Sequence, residues 1–184
     1  ALLSDAQAQF IKNIDETSEV FDKLLTNLLE LTESAYGFIG EVLFTDGGKP
    51  YLKTHSITNI TWDDATREFY ESHIADGLEF YNLDTLFGQV MVTGVPVIAN
   101  DPTNDPRKGG LPEGHPEMTA FMGLPFYHGD SLTGMVGVAN RPGGYDEQVI
   151  KYLQPFLSTC ASLIDAHRSD VKRKAAEAQL DQFF

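Results

Sequence analysis

At 184 residues the chain is long enough for one domain with a substantial core. Hydrophobic residues at 42% and charged residues at 22% exclude a disordered chain. The formal net charge of −14 argues against a nucleic-acid phosphate backbone as partner, because an acidic surface repels it. Cys160 is the single cysteine, so no internal disulfide can form and a reducing, cytoplasmic setting is expected. No run of about eighteen apolar residues and no basic-then-apolar N-terminus occurs, so no membrane span or signal peptide is expected.

Phe10, Ile14, Thr17, Phe21, Leu24, Leu28 and Leu31 step by alternate fours and threes through a stretch free of Gly and Pro. The spacing predicts a heptad seam on a helix of roughly 25–30 residues. Tyr36 to Thr45 reads as a buried strand, Asp46-Gly47-Gly48 as a hairpin turn and Tyr51 to Thr58 as the returning strand. Trp62 leads into Asp63-Asp64, acidic residues suited to a helix N-terminus, and Ala65 to Ile74 read as a short helix. Asp84 can cap a second short helix carrying Leu86, Val90 and Met91, which Gly94 ends.

Val95 to Ala99 follow as a strand, with Pro96 confining it to an edge or a strand start. Residues 100–117 lack periodicity and hold four of the nine prolines, the composition of a lid or binding loop. Met118 to His128 and Leu132 to Asn140 read as a hairpin. From Tyr145 the pattern is helical to the end. Pro155 is accommodated in an early turn or kink, and Leu153, Leu157, Cys160, Ile164, His167 and Val171 form a second seam. Cys160 falls among apolar residues and reads as core. Hairpin-linked strands with helices at both ends define an α+β fold: an antiparallel sheet of 5–6 strands, long terminal helices on one face, short helices and the long loop on the other.

This order resembles the GAF domain. The likeness rests on Leu86-Phe87-Gly88-Gln89-Val90 through Gly94-Val95-Pro96-Val97, on Gly114-His115-Pro116 through Phe121-Met122-Gly123-Leu124-Pro125-Phe126, and on Asn140 with Tyr145-Asp146. The local matches are to sensor histidine kinase GAF domains of bacteria. They imply a helical lead-in over 1–19, a sensor domain over 20–167 and a signalling helix over 168–184. The resemblance further implies a ligand between the sheet and the loop, a homodimer through the terminal helices, and a PAS or kinase segment downstream.

An apolar cavity with a few convergent polar groups suits such a role. Trp62, Phe80, Tyr81, Leu86, Met118 and Phe121 are candidates for the lining, and Asp101, Arg107 and His115 for polar contacts. Each has a plainer reading: core packing for the aromatics, bonding to loop backbone for Asp101, solvent exposure for Arg107. His115-Pro116-Glu117-Met118 resembles the segment whose histidine ligates iron in heme-binding sensor kinases, so heme through His115 is an alternative, weighed down by the Glu117 charge. A ligand-free dimerisation and relay module is the other.

Other chemistries lack their residues. Thiol relays and covalent bilins need cysteines that the chain does not have in the loop region. Asn140-Arg141 and Tyr145-Asp146-Glu147 only echo the cyclic-nucleotide pattern. No Gly-Lys-Ser/Thr phosphate loop, His-Glu-X-X-His helix or Gly-X-Ser-X-Gly turn occurs, so a regulatory domain without catalytic residues is expected. His55, His73 and His128 show no metal spacing and read as surface or turn residues, with His167 on the helical seam.

Overall fold

The structure, a computed structural model, describes residues 17–58, 77–109 and 117–183. Phe10, Ile14, Trp62, the expected helix over 65–74, His73 and Gly114-His115-Pro116 lie outside these residues. In chain order the elements are α1 (Thr17–Thr32), β1 (Tyr36–Phe44), β2 (Pro50–Ile57), β3 (Glu79–Phe80), α2 (Leu86–Thr93), β4 (Val97–Ala99), a 3-10 turn (Pro102–Asn104), β5 (Phe121–His128), β6 (Ser131–Ala139), α3 (Glu147–Tyr152) and α4 (Gln154–Asp181). The strands form one six-stranded sheet in the order β3-β2-β1-β6-β5-β4, and every pairing is antiparallel. The fold is α+β, as expected from the element order.

Alternation along the strands divides the apolar residues between two cores. Ile39, Met122, Leu124, Phe126, Val136 and Val138 face α1 and α4, where they pack on Phe21, Leu24, Leu28, Phe156, Leu157, Cys160 and Ile164. Val42, Leu52, Phe121 and Met135 face the opposite way and meet Leu86, Val90 and Met91 of α2. Burying one such side chain stabilises the fold by roughly 1.5–3 kcal/mol, so each face contributes substantially. The heptad seams hold with one adjustment each. Leu31 and Val171 are exposed, and Thr32 takes the buried place at the end of α1 by bonding the Leu28 carbonyl at 2.7 Å.

Local chemistry sets the element ends. Thr85, one residue beyond Asp84, caps α2 by accepting from the Gly88 N–H at 3.0 Å. Gly94 closes that helix at φ 71°, a left-handed conformation that favours glycine. Asp146 caps α3 through the N–H groups of Gln148 and Val149, and Pro155 sits in the first turn of α4, where its missing N–H is harmless. Two irregularities matter later. Ile39 pairs with Ser56 and Gly40 with Thr54, which leaves His55 as an extra residue in β2. Likewise Phe126 pairs with Gly134 and Tyr127 with Leu132, which leaves Thr133 extra in β6.

Candidate functional site

A cavity of about 500 Å³ lies on the α2 face of the sheet. Its floor is the middle of the sheet: Gly37 and Phe38 of β1, Gly137 and Val138 of β6, and Phe121 of β5. Thr85, Leu86 and Phe87 at the start of α2 form one wall. Phe80 of β3 and Leu52 of β2 close a side, while Pro102, Thr103, Lys108 and Gly109, with Glu117 and Met118, form the loop wall. The last two flank residues 110–116.

The lining is mainly apolar and aromatic. Phe87 stands edge-on to both Phe38 and Phe80, with ring centroids 6.4 Å and 5.8 Å apart. Gly137 gives Phe38 its place. A Cβ there would lie 2.4 Å from the Phe38 ring, so the glycine is what lets the ring lie over the sheet. Polar atoms come from Asn82, Thr85, Lys108 and Glu117. Tyr36 adds a phenol pushed up to about 12 by burial and by neighbouring Tyr145, and it therefore stays protonated at neutral pH. A volume of this size, with few polar groups in an apolar wall, suits a small organic molecule.

The loop walls are pinned by side chains rather than by sheet pairing. Arg107 donates to the Asp105 carboxylate through Nη2 at 2.7 Å and Nε at 2.9 Å, and to the Ile98 carbonyl at 3.0 Å. Those bonds hold the Asp105 carboxyl down at about 2. Lys108 donates to the Thr103 carbonyl. Asn140, at φ 65°, accepts from the Thr119 and Ala120 N–H groups at 2.8 Å and 3.4 Å and donates to the Glu117 carbonyl at 2.9 Å. Asn100 exchanges two bonds with the Tyr145 backbone, at 3.0 Å and 2.9 Å, and so ties the end of β4 to the entry of α3.

Phe80, Leu86, Met118 and Phe121 all lie in the cavity wall. Tyr81, Asp101 and Arg107 lie elsewhere. Tyr81 is exposed, stacked on Tyr51 at 4.7 Å and bonded to Glu79. Asp101 accepts from the Asn104 amide at 2.8 Å, a bond within its own loop, and Arg107 is spent on Asp105 and Ile98. Trp62 and His115 fall outside the described residues. Phe38, Phe87, Lys108, Gly37 and Gly137 line the cavity without having been singled out as site residues from sequence. Their signal was present in the glycines beside apolar residues at Gly37-Phe38 and Gly137-Val138, but it needed the neighbouring strand to be known.

A single antiparallel sheet with two long helices on one face and a cavity under a short helix and a pinned loop on the other defines a small-molecule-cavity domain. The GAF domain profile matches residues 15–165, and the chain belongs to that family. A relative in Methanosarcina acetivorans, the methyl sulfide methyltransferase-associated sensor, is 25% identical over 167 residues, covering 89% of this chain. The chain spans only 16% of that relative's length.

Among solved structures, the GAF domain of an Acinetobacter phosphoenolpyruvate-protein phosphotransferase superposes with TM-score 0.61 at 13% identity, covering 94% of this chain and 98% of its own. The free methionine-R-sulfoxide reductase of Neisseria meningitidis, solved with its substrate, gives TM-score 0.62 at 13% identity, covering 92% and 89%. The fold thus serves both regulators and enzymes. Among the described residues no helix is long and apolar enough to cross a membrane.

Proposed function

We propose that the chain is a small-molecule-sensing domain of a larger signalling protein, with the ligand held in the cavity between Phe38, Phe87 and the loop residues 102–109 and 117–118. The observation that carries this reading is the cavity itself. It is enclosed by aromatic rings, lies beside loop walls pinned by side-chain bonds, and contains no thiol, since Cys160 lies in the helix-facing core on the other side of the sheet. Thiol chemistry of the reductase kind therefore has no residue in the cavity, which supports reading it as a binding site.

The signal leaves through α4. Beyond Arg168 this helix is almost wholly exposed, with apolar Val171 and Leu180 on its surface and Phe183 just past its end, which suits a homodimer pairing of terminal helices and a kinase-type output further along the parent chain. Ligand binding shifts that output only if it favours one arrangement of the helix over another.

Native mass spectrometry of the purified protein, followed by a thermal-shift screen with metabolites, tests the proposal. A bound small molecule or a stabilising one, with the effect lost on filling the cavity, is expected. No stabilisation by any compound would favour a ligand-free relay. An absorption spectrum tests the heme alternative, for which Met118 is the one sulfur ligand in the described wall. A Soret band would assign heme, and its absence would remove it.

A further inference from the structure

We propose that Glu41, His55 and His167 form a binding site for a transition-metal ion of the Zn²⁺ class, on the sheet face opposite the cavity, tying α4 to β1 and β2. One donor atom from each residue lies within 4.8 Å of the other two. His55 Nε2 is 2.9 Å from Glu41 Oε1, and the His55 and His167 rings meet edge-to-face at 5.1 Å. A tetrahedral zinc site with ligand bonds of about 2.0–2.1 Å has donor separations of about 3.3 Å. The His55–Glu41 pair must widen by a few tenths of an ångström, and the His167 donor already lies within 4.8 Å of both.

The backbone is built to aim these donors. His55 is the extra residue of the β2 bulge, so it and the following Ser56 both face the helices: His55 packs on Phe21 at 4.9 Å, and Ser56 bonds Asp22. Without the bulge, adjacent residues would point to opposite faces. Arg168 donates to the second oxygen of Glu41, and also to the carbonyls of Val42, at 2.8 Å, and of Thr133, the extra residue of the β6 bulge, at 3.3 Å. Oε2 is thereby engaged and Oε1 is left toward the histidines, as an outer partner fixes a ligating carboxylate.

Ion entry displaces the proton shared between His55 Nε2 and Glu41 Oε1, which moves to Nδ1 or leaves to solvent. Two imidazoles and one carboxylate select Zn²⁺, Co²⁺ or Ni²⁺ over Ca²⁺ and Mg²⁺, and water completes the set. Arg168 is a nearby positive charge that lowers affinity, so the site is reversible rather than a permanent staple.

The test uses the chain stripped with a chelator. Zn²⁺ is titrated in competition with a chromophoric chelator, and Co²⁺ uptake is followed by its visible absorption. Expected are one saturable equivalent, a raised thermal midpoint, and visible Co²⁺ bands. His55→Gln and His167→Gln should each weaken Zn²⁺ at least about tenfold and abolish the Co²⁺ bands, while the exposed His128→Gln leaves both unchanged. Circular dichroism confirms that the variants fold. Failure to take up Zn²⁺, or uptake that both variants retain, would overturn the proposal.

Discussion

Asn140 offers the sharpest test of how the cavity loop is held. It stands at the end of β6 in the left-handed conformation, at φ 65°, and its side chain holds residues 117–120 as they enter β5. Replacement by Ala removes the Thr119 and Glu117 bonds, both under 3 Å, and each is worth about 1 kcal/mol or less at a solvent-accessible site. It also forces a Cβ-bearing residue without a compensating side chain into the left-handed region, at about 1–2 kcal/mol. Asn140→Ala should therefore destabilise by about 2–3 kcal/mol.

Asn140→Gly loses the same bonds but occupies the conformation freely, so it should be about 1 kcal/mol better than Ala. In ordinary extended or helical positions the order is reversed, with Gly worse than Ala by about 0.5–1 kcal/mol. Urea denaturation with an unchanged m-value measures both variants, and limited proteolysis should show faster cutting near 110–118 in each. Equal destabilisation, or Gly worse than Ala, would refute the assignment of the backbone conformation as a main contributor.

Gly137→Ala places a Cβ 2.4 Å from the Phe38 ring and pushes that ring into the cavity; a loss of about 1–3 kcal/mol in thermal or urea unfolding, together with loss of any cavity ligand's stabilising effect, is expected. Burial raises the Cys160 thiol, so DTNB should label it only in urea; rapid labelling of native protein would contradict its core position. Asp105 sits at about 2 because of Arg107, below its unfolded value of about 3.9, so the pair stabilises above that value and the contribution is lost as pH falls through 2. Arg107→Leu should move the Asp105 carboxyl titration upward by NMR, and an unmoved titration would argue against the pairing. Arg168→Met leaves the buried Glu41 carboxylate without its guanidinium and should cost about 3 kcal/mol in urea unfolding, whereas a double change with Glu41→Met should recover most of it.

The fold was legible because its elements are local and strongly patterned. Heptad spacing marked both long helices, Asp46-Gly47-Gly48 marked the first hairpin, and Gly94 marked the end of α2. The short β3 was not foreseen, since two residues, Glu79 and Phe80, carry no periodicity and pair only because β2 lies beside them. Four apolar site candidates reached the cavity wall because they flank the loop on elements of fixed orientation. Charged candidates fared differently. Asp101 and Arg107 have acceptors and donors within their own loop, and a chain satisfies such groups locally before it offers them to a cavity. The two histidines beside Glu41 were read separately, as a surface residue and a seam residue, because they sit 112 positions apart in sequence (167 minus 55). Only the β2 bulge and the docking of α4 bring them to one place.

The two sites share one strand. Along β1, Phe38 faces the cavity while Ile39 and Glu41 face the helices, so the cavity floor and the anchor of α4 lie within four residues of the same backbone. A cavity ligand that displaced Phe38 would act on a strand whose opposite face holds Arg168, which bonds α4 to the sheet shortly before that helix runs out exposed. Tight core packing below and beside β1 makes a smooth deformation costly, so on the proposed sensing role a change at Phe38 would be transmitted as a choice between two seatings of Arg168, of which the structure shows the one on Glu41 and the carbonyls of Val42 and Thr133. A metal ion on Glu41, His55 and His167 would then act on the same choice from the other side. By linkage, ligand and metal would each alter the other's affinity to the extent that they prefer different seatings, and neither would affect the other if the seating is unique.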